Sequence, residues 1–216
     1  MNFTEQNLRL YAVTDRAWTG KMTLLEQVEA ALQGGATCVQ LREKTLDPDA
    51  FLAEARAMAA LCRRYGVPFL VNDNLDIALA SGADGVHVGQ DDLPVEEVRR
   101  RVGSRMIVGV SAHNVREALA AQAGGADYLG AGAVFGTATK KNVTPLARQT
   151  LCDICRAVHI PVVAIGGVGP DNLMQLAGTG VAGAAVVSAI FGAPDITAAC
   201  RHLRALSDAM TAAPQD

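Results

Sequence analysis

Short runs of β-branched and small apolar residues alternate along the chain with longer stretches whose apolar positions recur every three or four residues. The short runs have the length and composition of buried strands, and the longer ones those of helices with one apolar face. Strands are predicted at 8–13, 38–41, 68–71, 85–88, 106–110, 128–131, 161–165 and 184–187. Helices are predicted at 23–33, 48–65, 75–81, 94–102, 115–124, 146–158, 172–178 and 196–207, and residues 208–216 read as a frayed tail. Gly-Gly-Ala and Gly-Ala-Asp turns at 34–36, 82–84 and 124–127 supply left-handed helix stops for short helix-to-strand connections. Strict alternation predicts parallel strands, and 216 residues over eight units leave 27 for each. That fits an α/β fold with a single domain over 1–216, a (β/α)8 TIM barrel. A doubly wound open sheet fits less well, because no Gly-x-Gly-x-x-Gly follows the first strand.

Composition narrows function more than fold. With 50% hydrophobic residues the chain can bury one sizeable core. A net charge of −3 and a pI near 5.8 create no field that attracts nucleic acid or an anionic membrane, so any anion site is local. The Arg99-Arg100-Arg101 run reads as a solvated helix end. No run of about 18 apolar residues occurs, and the N-terminus lacks a basic segment followed by an apolar one. A cytoplasmic location is expected, with small-molecule partners, neither nucleic acid nor membrane, and room for a homo-oligomer.

In a parallel barrel, chemistry gathers where the strands end, and here the ends are polar. Val71-Asn72-Asp73-Asn74 and Val86-His87-Val88-Gly89-Gln90-Asp91-Asp92 each pass abruptly from apolar residues to carboxylates and amides, with Asp92 nineteen residues after Asp73. Two such tips on neighbouring strands can hold one hard cation. An aspartate pair without a Cys/His cluster suits magnesium, which keeps positions open for water and substrate phosphate. Over 39–44 the two-residue strand period puts Gln40, Arg42 and Lys44 on one face and turns Val39 and Leu41 toward the helices. Ser111 ends the fifth strand, Phe135-Gly136-Thr137-Ala138-Thr139-Lys140 follows the sixth, Gly166-Gly167 the seventh and Val187-Ser188 the eighth. Bare backbone amides and a helix start after strands seven and eight suit a phosphate monoester. Arg42, Lys44 and Lys140 facing the aspartate pair suit a diphosphate. One phosphorylated and one diphosphorylated substrate describe a transferase from which diphosphate departs. No Ser/His/Asp order or activated cysteine stands at these strand ends, and His87 reads as a barrel-packing or loop residue rather than as a base.

Taken together, Gln40-Leu41-Arg42-Glu43-Lys44, Asn72-Asp73, Gly89-Gln90-Asp91-Asp92, Ser111, Thr137-Ala138-Thr139-Lys140, Ile165-Gly166-Gly167 and Val187-Ser188 resemble the thiamine phosphate synthase family over about residues 8–206. The resemblance implies a TIM barrel that joins 4-amino-2-methyl-5-(diphosphooxymethyl)pyrimidine to 4-methyl-5-(2-phosphooxyethyl)thiazole, giving thiamine phosphate and diphosphate. It implies that Asp73 and Asp92 bind Mg2+. Gln40, Leu41, Arg42, Glu43, Lys44, Asn72, Ser111 and Lys140 would meet the pyrimidine diphosphate, with Arg42, Lys44 and Lys140 catalytic. Thr137, Ala138, Thr139, Gly167, Val187 and Ser188 would hold the thiazole phosphate. The chain departs from the usual Gly-Pro-x-Phe-Pro-Thr loop with Gly132-Ala133-Val134-Phe135-Gly136-Thr137, which removes two fixed φ angles but no ligand group. A thiazole tautomerase-like isomerase, another phosphate-binding barrel enzyme such as a lyase, and a non-catalytic phosphate-ligand sensor are the competing classes; the tautomerase would not need the full diphosphate set.

Five cysteines, an odd number in a chain with its own core, argue against a disulfide framework. Cys152-Asp153-Ile154-Cys155 falls within a predicted helix and no second pair completes a zinc set. Replacing Cys152 and Cys155 together by Ser is expected to leave turnover intact under reducing and mildly oxidising conditions. A large loss in a folded double variant would revive a redox or metal role for the pair.

Overall fold

The computed structural model describes residues 3–20, 22–136 and 145–213. Among these, eight parallel strands close into a barrel in chain order, with the last pairing back on the first. They are β1 (Leu10–Val13), β2 (Cys38–Leu41), β3 (Phe69–Asn72), β4 (Gly85–Val88), β5 (Ile107–Ala112), β6 (Tyr128–Gly132), β7 (Val162–Ile165) and β8 (Gly183–Val186). The outer ring holds α1 (Leu24–Gln33), α2 (Pro48–Tyr65), α3 (Leu75–Ser81), α4 (Val95–Val102), α5 (Val115–Ala123), α6 (Arg148–Ala157), α7 (Ser188–Phe191) and α8 (Ile196–Ala212). The architecture is the predicted TIM barrel, with no helix among the described residues long and apolar enough to cross a membrane.

Three of the boundaries that differ from the sequence reading have a clear local reason, while the others shift by one or two residues. The expected first strand loses its start to a 3-10 turn, Glu5–Leu8, which seats Leu8 under the barrel. The expected helix at 172–178 is only a 3-10 turn, Leu173–Leu176, because Gly178 and Gly180 both take positive φ close behind it. The expected tail instead continues α8 to Ala212, since Ser207 and Met210 are buried on the barrel side of that helix.

The period-two alternation sorts the core into two layers. Leu10, Ala12, Val39, Leu41, Val71 and Val86 face the helices, whereas Tyr11, Val13, Cys38, Leu70, Tyr128, Val163 and Ala185 fill the barrel interior. The rings of Tyr11 and Tyr128 meet edge to face with centroids 5.9 Å apart. Gly109 makes room for them: a Cβ there would lie 2.3 Å from the Tyr128 hydroxyl oxygen. The five cysteines are free, and burial pushes the Cys155 thiol up to about 12, which leaves an inert side chain on a helix.

A repeated device ties strands together at the N-terminal face. Gly35-Ala36-Thr37, Gly82-Ala83-Asp84 and Gly125-Ala126-Asp127 each place a polar residue at the start of a strand, where its side chain reaches the preceding strand. Thr37 accepts from the Leu10 amide at 2.9 Å, Asp84 from the Phe69 amide at 3.0 Å and Asp127 from the Val108 amide at 2.7 Å. In each case the same residue's own N–H is bonded to a carbonyl of the strand it grips. Arg99, expected as a solvated charge, instead closes the third clamp, donating to Asp127 at 2.6 Å and to the carbonyls of Gly103, Met106 and Gly125.

Asp127→Ala removes the acceptor shared by Val108 and Arg99 and should cost about 1–3 kcal/mol. For a chain of this length that is a fall of roughly 2–12 °C in Tm. Thermal denaturation should show the loss, while turnover at 25 °C stays near that of the wild type because the clamp lies opposite the C-terminal mouth.

Candidate active site

All eight strands send a residue to one cavity of about 460 Å3 at the C-terminal mouth. Of the residues singled out from the sequence, Gln40, Arg42, Lys44, Asn72, Asp73, Asp92, Ser111, Gly167, Val187 and Ser188 line it. Thr137, Ala138, Thr139 and Lys140 lie outside the described residues. Leu41 and Glu43 are not on the cavity wall. Leu41 is buried toward the helices, as the strand period requires. Glu43 turns back into its own loop, where Oε1 accepts from the amides of Lys44 (2.7 Å), Thr45 (2.8 Å) and Leu46 (3.3 Å), and Oε2 accepts from Arg16 Nε at 2.7 Å. Burial alone would raise this carboxyl; the Thr45, Arg16 and Lys44 donors outweigh it and hold Glu43 at about 2. Its work is to pin the loop that presents Lys44.

The acidic end is built by a backbone turn. Asp73 is the one non-glycine residue among those described with positive φ, at 62°, and its N–H donates to the His87 carbonyl at 2.8 Å. A left-handed aspartate is uncommon, and the conformation lifts its carboxylate over the mouth. There Asp73 Oδ2 meets Lys44 Nζ at 2.5 Å. Asp92 Oδ2 accepts from the Gly89 amide at 2.7 Å, so its carboxylate folds back toward β4. Arg42 is braced by Asp15 at 2.9 Å and its amide by the Thr14 hydroxyl at 3.0 Å.

The Asp73 and Asp92 carboxylates are close enough to act on one another, and their like charges oppose each other. Asp92 is raised above the ordinary aspartate value, first by burial and then by Asp73, against the lowering pull of the Gly89 amide and Lys44. A divalent cation would relieve that repulsion, and hard carboxylate oxygens are the donors such an ion takes. Among the described residues no group of three or more His, Cys, Asp and Glu is gathered for a metal. The pair thus fits an ion whose remaining positions go to water and substrate oxygens.

The opposite wall is nearly all backbone. Gly166 and Gly167 have φ of 99° and 68°, and a Cβ on Gly167 would lie 2.2 Å from the Gly136 carbonyl oxygen. The β6 exit runs along this turn, with Val134 and Phe135 amides bonded to the Ile165 and Gly166 carbonyls at 2.9 and 3.0 Å. Asn172 staples its far side, donating to the Gly167 carbonyl and accepting from the Gly169 amide, both at 2.9 Å. Ser188 opens α7 directly beyond β8.

The sequence reading missed several lining residues. His87 reaches the cavity from inside β4, Gln90 donates to the Ser111 carbonyl at 2.6 Å, and His113 bonds Glu117 at 2.8 Å. Each sits on an inward strand position or one to two residues past a strand end, so the rule that found Ser111 and Gly167 also reaches them.

A family model described as thiamine monophosphate synthase matches residues 10–190. The chain is 49% identical to the thiamine-phosphate synthase of Ruminiclostridium cellulolyticum over 194 residues, covering 90% of this chain and 92% of that one. It is 49% identical to the thiamine-phosphate synthase of Chloroflexus aurantiacus over 199 residues, with 92% of each covered. Among solved structures, the thiamine phosphate pyrophosphorylase of Pyrococcus furiosus superposes with a TM-score of 0.88 at 39% identity, covering 95% of this chain and 98% of that one.

Because the folded-state pKa of Asp92 lies above its unfolded value, the folded protein holds a proton that the unfolded chain has lost between those two values. Stability therefore falls as pH rises through that interval, and ionised Asp92 is a cost above it. Asp92→Asn should raise the Tm of the metal-free protein near neutral pH and abolish most of the rise that a divalent cation gives the wild type. Calorimetry in EDTA and in excess magnesium measures both. A full cation-induced shift in the variant would contradict the shared site.

Proposed function

The chain belongs to the thiamine monophosphate synthase family, and from that premise we propose that its barrel mouth joins the pyrimidine diphosphate to the thiazole phosphate, releasing diphosphate. The chain is a transferase of thiamine biosynthesis, forming thiamine phosphate. The observation that carries the site assignment is the division of one cavity into an ionic half, Arg42, Lys44, Asp73 and Asp92, and a backbone half, Gly166, Gly167 and Ser188. The ionic half suits a diphosphate and the backbone half a phosphate monoester. A thiazole isomerase would have no use for the ionic half. The partners on this reading are the two small substrates, the cofactor is Mg2+ and the location is cytoplasmic.

The chemistry asks little of a nucleophile or base. The 4-amino group of the pyrimidine feeds electrons toward the exocyclic methylene carbon, the C–O bond to diphosphate breaks, and the thiazole nitrogen forms the new C–N bond with its lone pair. Arg42 and Lys44, with Lys140, stabilise the negative charge that grows on the departing diphosphate. Asp15 and the Glu43-pinned loop hold the first two in place. Asp73 and Asp92 would hold Mg2+, which when bound would supply Lewis-acid charge neutralisation to the leaving group. Gly167 and Ser188, with Thr137 and Thr139, anchor the thiazole phosphate so that the ring nitrogen is aimed at the carbon. Incubating the protein with both precursors and magnesium should yield thiamine phosphate and diphosphate in equal amounts. Binding without diphosphate release would support a sensor instead.

The two halves should separate kinetically. Lys140→Ala should lower kcat by roughly 10²–10³, the scale of one positioned electrostatic contact, with the KM for thiazole phosphate little changed. Ser188→Ala should do the reverse, raising that KM more than it lowers kcat. Steady-state rates with each substrate varied in turn decide the matter, and identical effects from both variants would reject two distinct anion sites.

A further inference from the structure

Below the cavity floor a continuous chain of hydrogen bonds crosses the barrel interior. Gln40 Nε2 donates to the Tyr11 hydroxyl at 2.8 Å, the Tyr11 and Tyr128 hydroxyls are 2.8 Å apart, Tyr128 Oη lies 2.8 Å from His87 Nδ1, and His87 Nε2 lies 3.0 Å from Ser111 Oγ. Both ends, Gln40 and Ser111, face the cavity, whereas Tyr11 and Tyr128 are at most 1% exposed. The chain joins β2, β1, β6, β4 and β5, so two residues on different walls share one polar circuit.

Such a chain has a direction. A phenol carries one proton, so Tyr11, already accepting from Gln40, gives its own to Tyr128. Tyr128 then gives its proton to His87 Nδ1. An imidazole that accepts at Nδ1 carries its proton on Nε2 and donates to Ser111 Oγ. Ser111, having received a proton there, turns its own hydroxyl hydrogen elsewhere, and the cavity is what it faces. Burial keeps both phenols protonated, raising each well above its ordinary value. Reversing the Tyr11–Tyr128 or the Tyr128–His87 link would leave a buried hydroxyl proton with no oxygen or nitrogen acceptor along the chain, the Cys38 thiol beside Tyr11 being only a weak one.

We infer that Tyr128 is a positioning residue: it fixes His87 with its proton on Nε2 and thereby presents the Ser111 hydroxyl as a hydrogen-bond donor to an anion in the cavity. That the anion is the diphosphate rests on the proposed function; the polarity of the chain does not. Gln40 and Ser111 are then coupled, so a ligand that turned the Gln40 amide over would reverse the proton order as far as Ser111.

Nitrogen-15 NMR of the ligand-free wild type tests the polarity with no change to the chain itself, since variants of His113, His159 and His202 serve only to assign the His87 signals. The expected result is a proton on Nε2 and a bare Nδ1; a proton on Nδ1, alone or with one on Nε2, would overturn the inference. Kinetics test the consequence. Tyr128→Phe should lower kcat/KM for the pyrimidine diphosphate by roughly 10- to 100-fold, the range for losing a group that orients a site histidine, and leave the thiazole phosphate KM within about twofold. Tyr11→Phe should cost much less, because Tyr128 can still donate to His87. In a Ser111→Ala background, Tyr128→Phe should cost little more, since the hydroxyl it directs is gone. Equal losses from Tyr128→Phe in both backgrounds, or a matching rise in both KM values, would mark Tyr128 as merely structural. A protein inactive on these substrates that still shows the Nε2 proton would count against the proposed function and leave the polarity standing.

Discussion

Closing eight strands of four to six residues into one barrel is the constraint on which the rest of the structure depends. Each strand has room for only two or three inward side chains, so what fills the bottom decides what is left open at the top. Here the bulk is placed low. Tyr11, Tyr128, Leu70 and Ile107 fill the lower interior, while Gly130, Gly132 and Ala185 stand higher and leave the cavity empty of side chain. Short strands also mean that a residue one to three places past a strand end is already at the mouth, which is why Arg42 and Lys44, Asp73 and Gly167 line one cavity although they come from three separate turns.

That geometry explains how much of the fold and the site is legible in the sequence. A period of two followed by polar residues identifies both a strand and the side chains at its tip, so the strand positions came within about two residues and most of the lining followed. The failures have one physical origin: spacing shows which way a side chain points but not what consumes it. Glu43 lies between two cavity residues in the chain, yet its carboxylate is taken up by three backbone amides and Arg16. Arg99 looks like part of a solvated basic run until its carbonyl partners and Asp127 are seen. His87 and Tyr128 fall on inward positions, but their contact with one another depends on the stagger of β4 against β5 and β6, which no single strand encodes.

On the proposed function, the two halves of the mouth would meet their anions by different means, and the difference follows from what each ligand would do. A phosphate that is only held can be met by amides, because glycine turns bring backbone dipoles close without adding net charge. A diphosphate that gains charge as its bond breaks is better met by full charges, whose attraction grows with it. Arg42 and Lys44 stand on the ionic side, each braced by an aspartate, and the glycine turn stands on the other.

Such a mouth is costly to fold. A left-handed aspartate costs on the order of 1 kcal/mol, and burial and the neighbouring Asp73 both oppose the ionisation of Asp92. Those costs fall at the C-terminal end, where cation and substrate would recover them. The offset lies at the other end, in the three side-chain clamps of Thr37, Asp84 and Asp127, each worth about 1 kcal/mol or more. The clamps grip β1, β3 and β5, the strands whose far ends carry Val13, Asn72 and Ser111 into the cavity. Binding can therefore change the electrostatics of the mouth without loosening the strands that define it, because the groups that hold the barrel shut are not the groups that meet the ligand.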